Sequence, residues 1–331
     1  MWKKIAIVLV VLAAIGGIGF GVAFYNANND YGLLTARAIG HDFVATPETR
    51  LRVAIDTIRL GNDLYPYLPE DLPIPEWIPW DLPTLIPTVL PREIAVLGGS
   101  DYRDSAFKLT VFINEQKGGP VLPQYLNKQM RVLQSVPAVE WEGEGFQLEE
   151  RGLLAAEGQI PLPLGLEDTI LETWSLDAPE ELLTLNGGHM AEGVIDNRSG
   201  EIMTLIGGLA PVWGRSLESL QADPNLQLLF TMLPNIRDIR IAADFTNLDT
   251  ILIQTHINVD ESVGGQLEFF LPMGIMGIAP RIKAQYGITM TQESVWNRDD
   301  EIFEFNVTLT GVEEKLRAQF KQIVPVTPVA Q

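Results

Sequence analysis

Cysteine is absent from the 331-residue chain, which excludes disulfides, thiolate nucleophiles and cysteine-held zinc or iron–sulfur centres. Stability must come from packing, and the chain is long enough to bury a core. Histidine is scarce. His41, His189 and His256 stand far apart, and none belongs to an HExxH pair, so nothing local supports a histidine-based metal or triad site. No GxSxG elbow, Walker A loop or EF-hand loop occurs. Positive charge is also short, with 23 Lys and Arg against 43 Asp and Glu and a formal net charge of −20. The acids are spread along the chain, which argues against a nucleic-acid partner and against broad adhesion to anionic headgroups.

One long apolar run is present. Ile5 to Phe24 holds 20 apolar or glycine positions behind Lys3 and Lys4, with no acid before Asp30. That length matches a helix crossing a hydrocarbon core, and the lysines keep the N-terminus cytoplasmic. The remainder is then expected to be extracytoplasmic, in a bacterial periplasm. Gly21-Val22-Ala23 has the form of a signal-peptidase site, but the run exceeds the usual h-region, so an uncleaved anchor over residues 1–30 is favoured. Gly17 and Gly21, four apart, would let two membrane helices approach closely.

After the anchor, residues 31–63 read as a lead-in and a helix. Thr46 caps it, Pro47 enters its first turn, Leu51, Ile55 and Ile58 share a face, and it stops near Gly61-Asn62. Residues 64–91 form a strap holding eight of the 22 prolines. Proline denies this strap a strand ladder or a continuous helix. Tyr65, Tyr67, Trp77 and Trp80 along it are candidates for an interaction surface, against packing on the strap's own domain.

From Arg92 the pattern turns to strands, and it implies an α+β fold, with antiparallel sheets and helices packed on one face. Ile94 and Val96 alternate before Gly98-Gly99-Ser100-Asp101 interrupts. Phe107, Leu109, Val111 and Ile113 alternate next, Lys117-Gly118-Gly119 breaks the pattern, and a helix over 122–133 comes after it. Strands are expected over 138–141, 146–156 and 169–176. Val194-Ile195 and Ile202-Met203 read as a hairpin around residues 196–200, and a helix is expected over 224–232. Ile239, Ile241 and Ala243 then repeat the first alternation, and Ile251 to Val259 the second, before Gly264-Gly265. This echo suggests two duplicated modules, 92–210 and 211–324, ahead of a loose tail at 325–331. Residues 269–280 carry no charge and read as a core helix, with an interfacial or apolar-ligand segment as the alternative. A hairpin with its turn at 297–300 and a helix entered through a Thr310–Glu313 capping box close the chain.

The acid clusters Glu140-Glu142-Glu144, Glu149-Glu150 and Asp299-Asp300-Glu301 fit solvated edges and turns. Asn197-Arg198-Ser199 and Asn306-Val307-Thr308 match the glycosylation sequon, a pattern common by chance. No catalytic, metal or cofactor residue stands out, and no cofactor is expected. The reading is a single-pass membrane protein, non-catalytic, that binds or scaffolds. It would be an accessory subunit with a protein partner in a membrane complex, or a handler of a lipid-like ligand. The alternative is a hydrolase whose carboxylates, Ser100 and histidines meet only in the fold.

Overall fold

A computed structural model describes residues 49–68, 91–101, 106–114, 139–143, 146–149, 153–161, 185, 187–198, 200–224 and 226–323. The strands are β1 (Leu51–Asp56), β2 (Glu93–Asp101), β3 (Ala106–Asn114), β4 (Glu140–Trp141), β5 (Gln147–Glu149), β6 (Leu153–Pro161), β7 (Ala191–Asp196), β8 (Ile236–Asn247), β9 (Thr250–Val259), β10 (Thr289–Asn297) and β11 (Ile302–Thr310). The helices are α1 (Thr57–Leu64), α2 (Glu201–Leu209), α3 (Leu217–Gln221), α4 (Gln227–Met232), α5 (Glu261–Tyr286) and α6 (Val312–Ile323). The fold is mixed α+β with a large antiparallel sheet.

All eleven described strands join one sheet in the order β10-β11-β9-β8-β7-β1-β2-β3-β6-β4, with β5 also pairing β6. The seam is the antiparallel pair β1–β7, where Val53 faces Gly193. Outward from it, one side runs β1, β2, β3, β6 and the other β7, β8, β9, β11, in the same sequence of short and long steps. The chain passes from one side of this pair to the other between β6 and β7. The expected anchor, the helix over 122–133 and the strand over 169–176 lie outside the described residues. Among the described residues no helix is long and apolar enough to cross a membrane.

Register carries the packing. Because side chains alternate, Phe303, Ile257, Ile239, Ile195, Leu51, Gly98, Leu109 and Gly158 share one face. On it α5 places Val263 and Leu267 against Phe303, Phe305 and Val307, while Met232, Leu233 and Ile236 close the cluster. Burying each such side chain contributes about 1.5–3 kcal/mol. Leu205 and Leu209 of α2 cover Phe107 and Ile160 on the same face.

Five local expectations give way to tertiary structure. Residues 51–56 form β1 and not a helix, since Leu51, Val53 and Ile55 also satisfy a two-residue period and β2 and β7 pair with both edges. The helix starts only at Thr57, capped by Asp56, whose carboxylate accepts from the Arg59 N–H at 2.9 Å. Gly98-Gly99 does not end β2. The strand continues to Asp101, and the rings and methyls of Phe107 and Leu109 occupy the space a side chain at Gly98 would need. Ile202 and Met203 belong to α2, so no hairpin follows β7. Asp249, not a Thr310–Glu313 box, caps α6: its carboxylate accepts from the N–H groups of Gly311 and Glu313, both at 3.1 Å.

Gly264-Gly265, the fifth case, lies inside α5 and does not end a strand. A Cβ on Gly264 would enter the Trp296 ring, whereas one on Gly265 would meet open space. Gly264→Ala is therefore expected to cost about 1–2 kcal/mol through overpacking. Gly265→Ala is expected to gain about 0.5–1 kcal/mol from helix propensity. Urea midpoints of the two variants check this, and shifts of the same sign would refute the packing role of Gly264.

Candidate functional site

Two features of opposite chemistry lie on opposite faces of the sheet. On the face away from α2 and α5, strand alternation lines up Arg52, Glu192, Asp196, Asp238 and Glu93, all buried. Burial pulls the Arg52 guanidinium down to about 10, opposed by the charge of Glu93. Burial also raises the Asp238 carboxyl, against the pull of Arg240 and a hydrogen bond from Asn258. Beside this stripe opens a cavity of about 270 Å³ lined by His189, Glu192, Arg240, Ala242, Gln254 and His256. A second, of about 210 Å³, shares His189 and Glu192 and is also lined by Asp56, Arg92 and Glu93.

His189 is the organised member. Its Nδ1 lies 2.5 Å from Asp244 Oδ2, and Asp244 also pairs with Arg59 at 2.6 Å and accepts from the Met190 N–H at 2.9 Å. With Asp244 already accepting from a guanidinium and a backbone N–H, Nδ1 is placed as the ring donor to it. Nε2 then points to Glu192 Oε1, 3.6 Å away. Glu192 Oε2 accepts from the Gly187 N–H at 3.0 Å, while its buried Oε1 has no hydrogen-bond partner among the described residues. The loop that brings His189 here, Gly187-Gly188, has both glycines at positive φ.

On the helical face, α5 is apolar on both sides. Its inner side is the core described above, but Phe269, Met273 and Met276 are 62%, 52% and 70% exposed, with Phe270 beside them. Phe269 and Phe270 meet edge to face at 5.1 Å. The expected core helix thus buries only half its apolar surface. Spacing of i, i+4 and i+7 makes a ridge from Phe269 to Pro280, about 16 Å long at 1.5 Å per residue.

Ser100 does not meet His189 or His256, and His41 lies outside the described residues. Ser100 lies beyond the Leu51 end of β1 and donates to Glu201 Oε2 at 2.5 Å on the helical face. His189 lies beyond the Asp56 end, next to Met190, whose carbonyl accepts from the Asp56 N–H. The length of β1 separates them by roughly 20 Å. His256 faces the polar side, in register with Arg240 and Glu304. Among the described residues no group of three or more His, Asp or Glu is arranged to hold a metal. Glu140, Glu142, Asp299 and Asp300 are exposed.

Of the expected contact residues, Tyr67 is 1% exposed, packs on Phe245 and donates to the Leu248 carbonyl at 2.6 Å. Its ring supports the fold and is not on an outer surface. Tyr65 is half-buried. Trp77, Trp80, Lys3, Lys4, Gly17 and Gly21 lie outside the described residues. The cavity was not legible in the sequence, because its lining comes from three separate strands and the His189 loop; the Gly187-Gly188-His189 triplet was the one local sign.

The fold and these two features define a mixed α+β protein with a large antiparallel sheet. No family of known proteins matches the chain, and no curated protein matches it. A solved structure, crystal form I of TP0453, aligns at a TM-score of 0.28 and 8% identity over 82% of this chain and 94% of that one.

Proposed function

We propose that the protein is a membrane-anchored, extracytoplasmic scaffolding subunit that docks a protein partner through the outer ridge of α5. The exposed run of Phe269, Met273 and Met276 carries this reading, since monomeric soluble domains rarely present a contiguous apolar ridge. Anchors at i, i+4 and i+7 suit insertion into an apolar groove of another protein. The net charge of −20 disfavours an anionic lipid surface as the occupant. The two cavities described above place charged groups in their walls, Glu192 and Arg240 in one and Asp56, Arg92, Glu93 and Glu192 in the other, which favours docking over enclosure of a lipid-like ligand. Residues 5–24 supply the anchor, and the acidic body faces the periplasm.

The body is further read as an internal duplication about an axis through the β1–β7 seam. Corresponding positions are Val53 with Gly193, Val96 with Ile241, Val111 with Thr255 and Ala156 with Phe305, each pair holding the same place in its half's register. Each first strand is also followed by a helix, α1 directly after β1 and α2 a short turn after β7.

Photo-crosslinking from position 273 of the full-length chain in its native membrane tests the docking. One protein adduct of fixed stoichiometry is expected, lost in a Phe269→Asp, Met276→Asp variant that melts like wild type. A lipid adduct, an adduct of twice the chain's mass, or none at all would overturn the partner reading.

A further inference from the structure

We propose that the cavity beside the seam binds a small zwitterion, an amino acid or short peptide, with its ammonium group held between His189 Nε2 and Glu192 Oε1. Asp244 holds the Nδ1 edge of His189 at 2.5 Å, so Nε2 is the ring nitrogen left to meet a ligand. Nε2 faces the second oxygen of a carboxylate that is nine-tenths buried and, among the described residues, has no hydrogen-bond partner there. At 3.6 Å the two atoms are beyond hydrogen-bond reach of each other. A buried carboxylate oxygen without a donor is costly to the fold. An ammonium N–H group placed between them satisfies both, and adds a charge opposite to that of Glu192.

The rest of the cavity sets the remainder of the ligand. Arg240, Gln254 and His256 line the same space and supply donors for a carboxylate, although Arg240 also lies 3.9 Å from Asp238. A volume of about 270 Å³ admits a molecule of amino-acid size and is far larger than an ion needs. With only two acceptors converging, a metal ion is the poorer occupant. Asp244 acts here as a positioning residue: held by Arg59 and the Met190 N–H, it sets which face of the imidazole meets the ligand.

Two substitutions probe the site without disturbing its supports. Glu192→Gln keeps an oxygen for the Gly187 N–H but removes the charge. Ala242→Phe fills the cavity from the residue directly across from Glu192 in β8, itself only half-buried. Calorimetry on the full-length protein in mild detergent would use the twenty free amino acids and their N-acetylated forms as probes. At least one free amino acid is expected to bind. Its N-acetyl form should fail, and both variants should weaken binding tenfold or more while melting like wild type. No binding by any free amino acid at millimolar concentration, or equal binding of the N-acetyl form, would overturn the proposal. Zinc binding lost in Glu192→Gln with no amino-acid binding would overturn it in favour of a metal site. This inference is independent of the α5 ridge, so the failure of either leaves the other standing.

Discussion

Glu201→Gln is expected to stabilise the protein above neutral pH and to flatten its stability between about pH 4.5 and 7. Glu201 is fully buried at the start of α2, and its carboxyl is raised to about 7. Burial is the main cause. The Ser100 hydrogen bond and the Arg50 charge pull the other way, and Asp196 pushes it further up. A helix N-terminus also favours a negative charge, but by only about 0.3–1 kcal/mol at ordinary sites, too little to offset full desolvation. In the window between the ordinary value of 4.5 and about 7 the folded chain keeps a proton that the unfolded chain has released. Stability is therefore greatest at the acid side of that window and falls as pH rises through it, by on the order of 3 kcal/mol. Asp238, also raised by burial, contributes with the same sign. Glutamine resembles the protonated acid and still accepts from Ser100, so the variant should match wild type near pH 4.5 and exceed it at pH 8. Urea unfolding at the two pH values checks this. A wild-type midpoint that does not fall with pH, or a variant weaker at pH 8, would refute the assignment.

Asn197→Ala is the other substitution expected to have a large effect, about 2–4 kcal/mol of lost stability from three hydrogen bonds to backbone groups, of which the Leu233 carbonyl alone keeps a second partner in the Ile236 N–H. The Asn197 amide donates to the carbonyls of Leu233 and Ile236, each at 2.8 Å, and its oxygen accepts from the Ile202 N–H at 2.8 Å. One side chain thus ties the end of β7 to the start of α2 and to the entry into β8. Asn197→Asp keeps the acceptor and loses the donors, so it should fall between alanine and wild type in a thermal melt. An alanine variant within about 1 kcal/mol of wild type would show that water replaces the three bonds. Because Asn197 is 3% exposed and fully engaged, its sequon cannot carry a glycan in the folded chain.

The same residue explains why the hairpin expected after β7 does not form. Asp196 to Gly200 has the composition of a hairpin turn, and Ile202-Met203 looks like a returning strand. Gly200 instead takes a left-handed conformation, at φ 80°, and opens a helix whose first amides are met by Asn197 and by the Gly200 carbonyl. Turn chemistry fixes that the chain reverses, not whether a strand or a helix comes next. The β1 segment departs from its expected helix for a related reason: a six-residue apolar pattern fits either period, and only two partner strands decide it.

The sequence by itself determined the elements with long, clean periodicity: β3, β8, β9, β11, and the apolar face of α6. In each the local pattern and the tertiary environment demand the same side-chain spacing. It also determined the chemistry that is excluded, since no fold can supply a missing cysteine. The β1–β7 pairing near the middle of the sheet was not visible in it. Only the tertiary structure decided which side of α5 is covered, because a helix apolar all round gives no sign of which half meets the sheet. It alone decided the cavity too, where Glu192, Ala242 and Gln254 come together across β7, β8 and β9 through pairings that no local segment encodes.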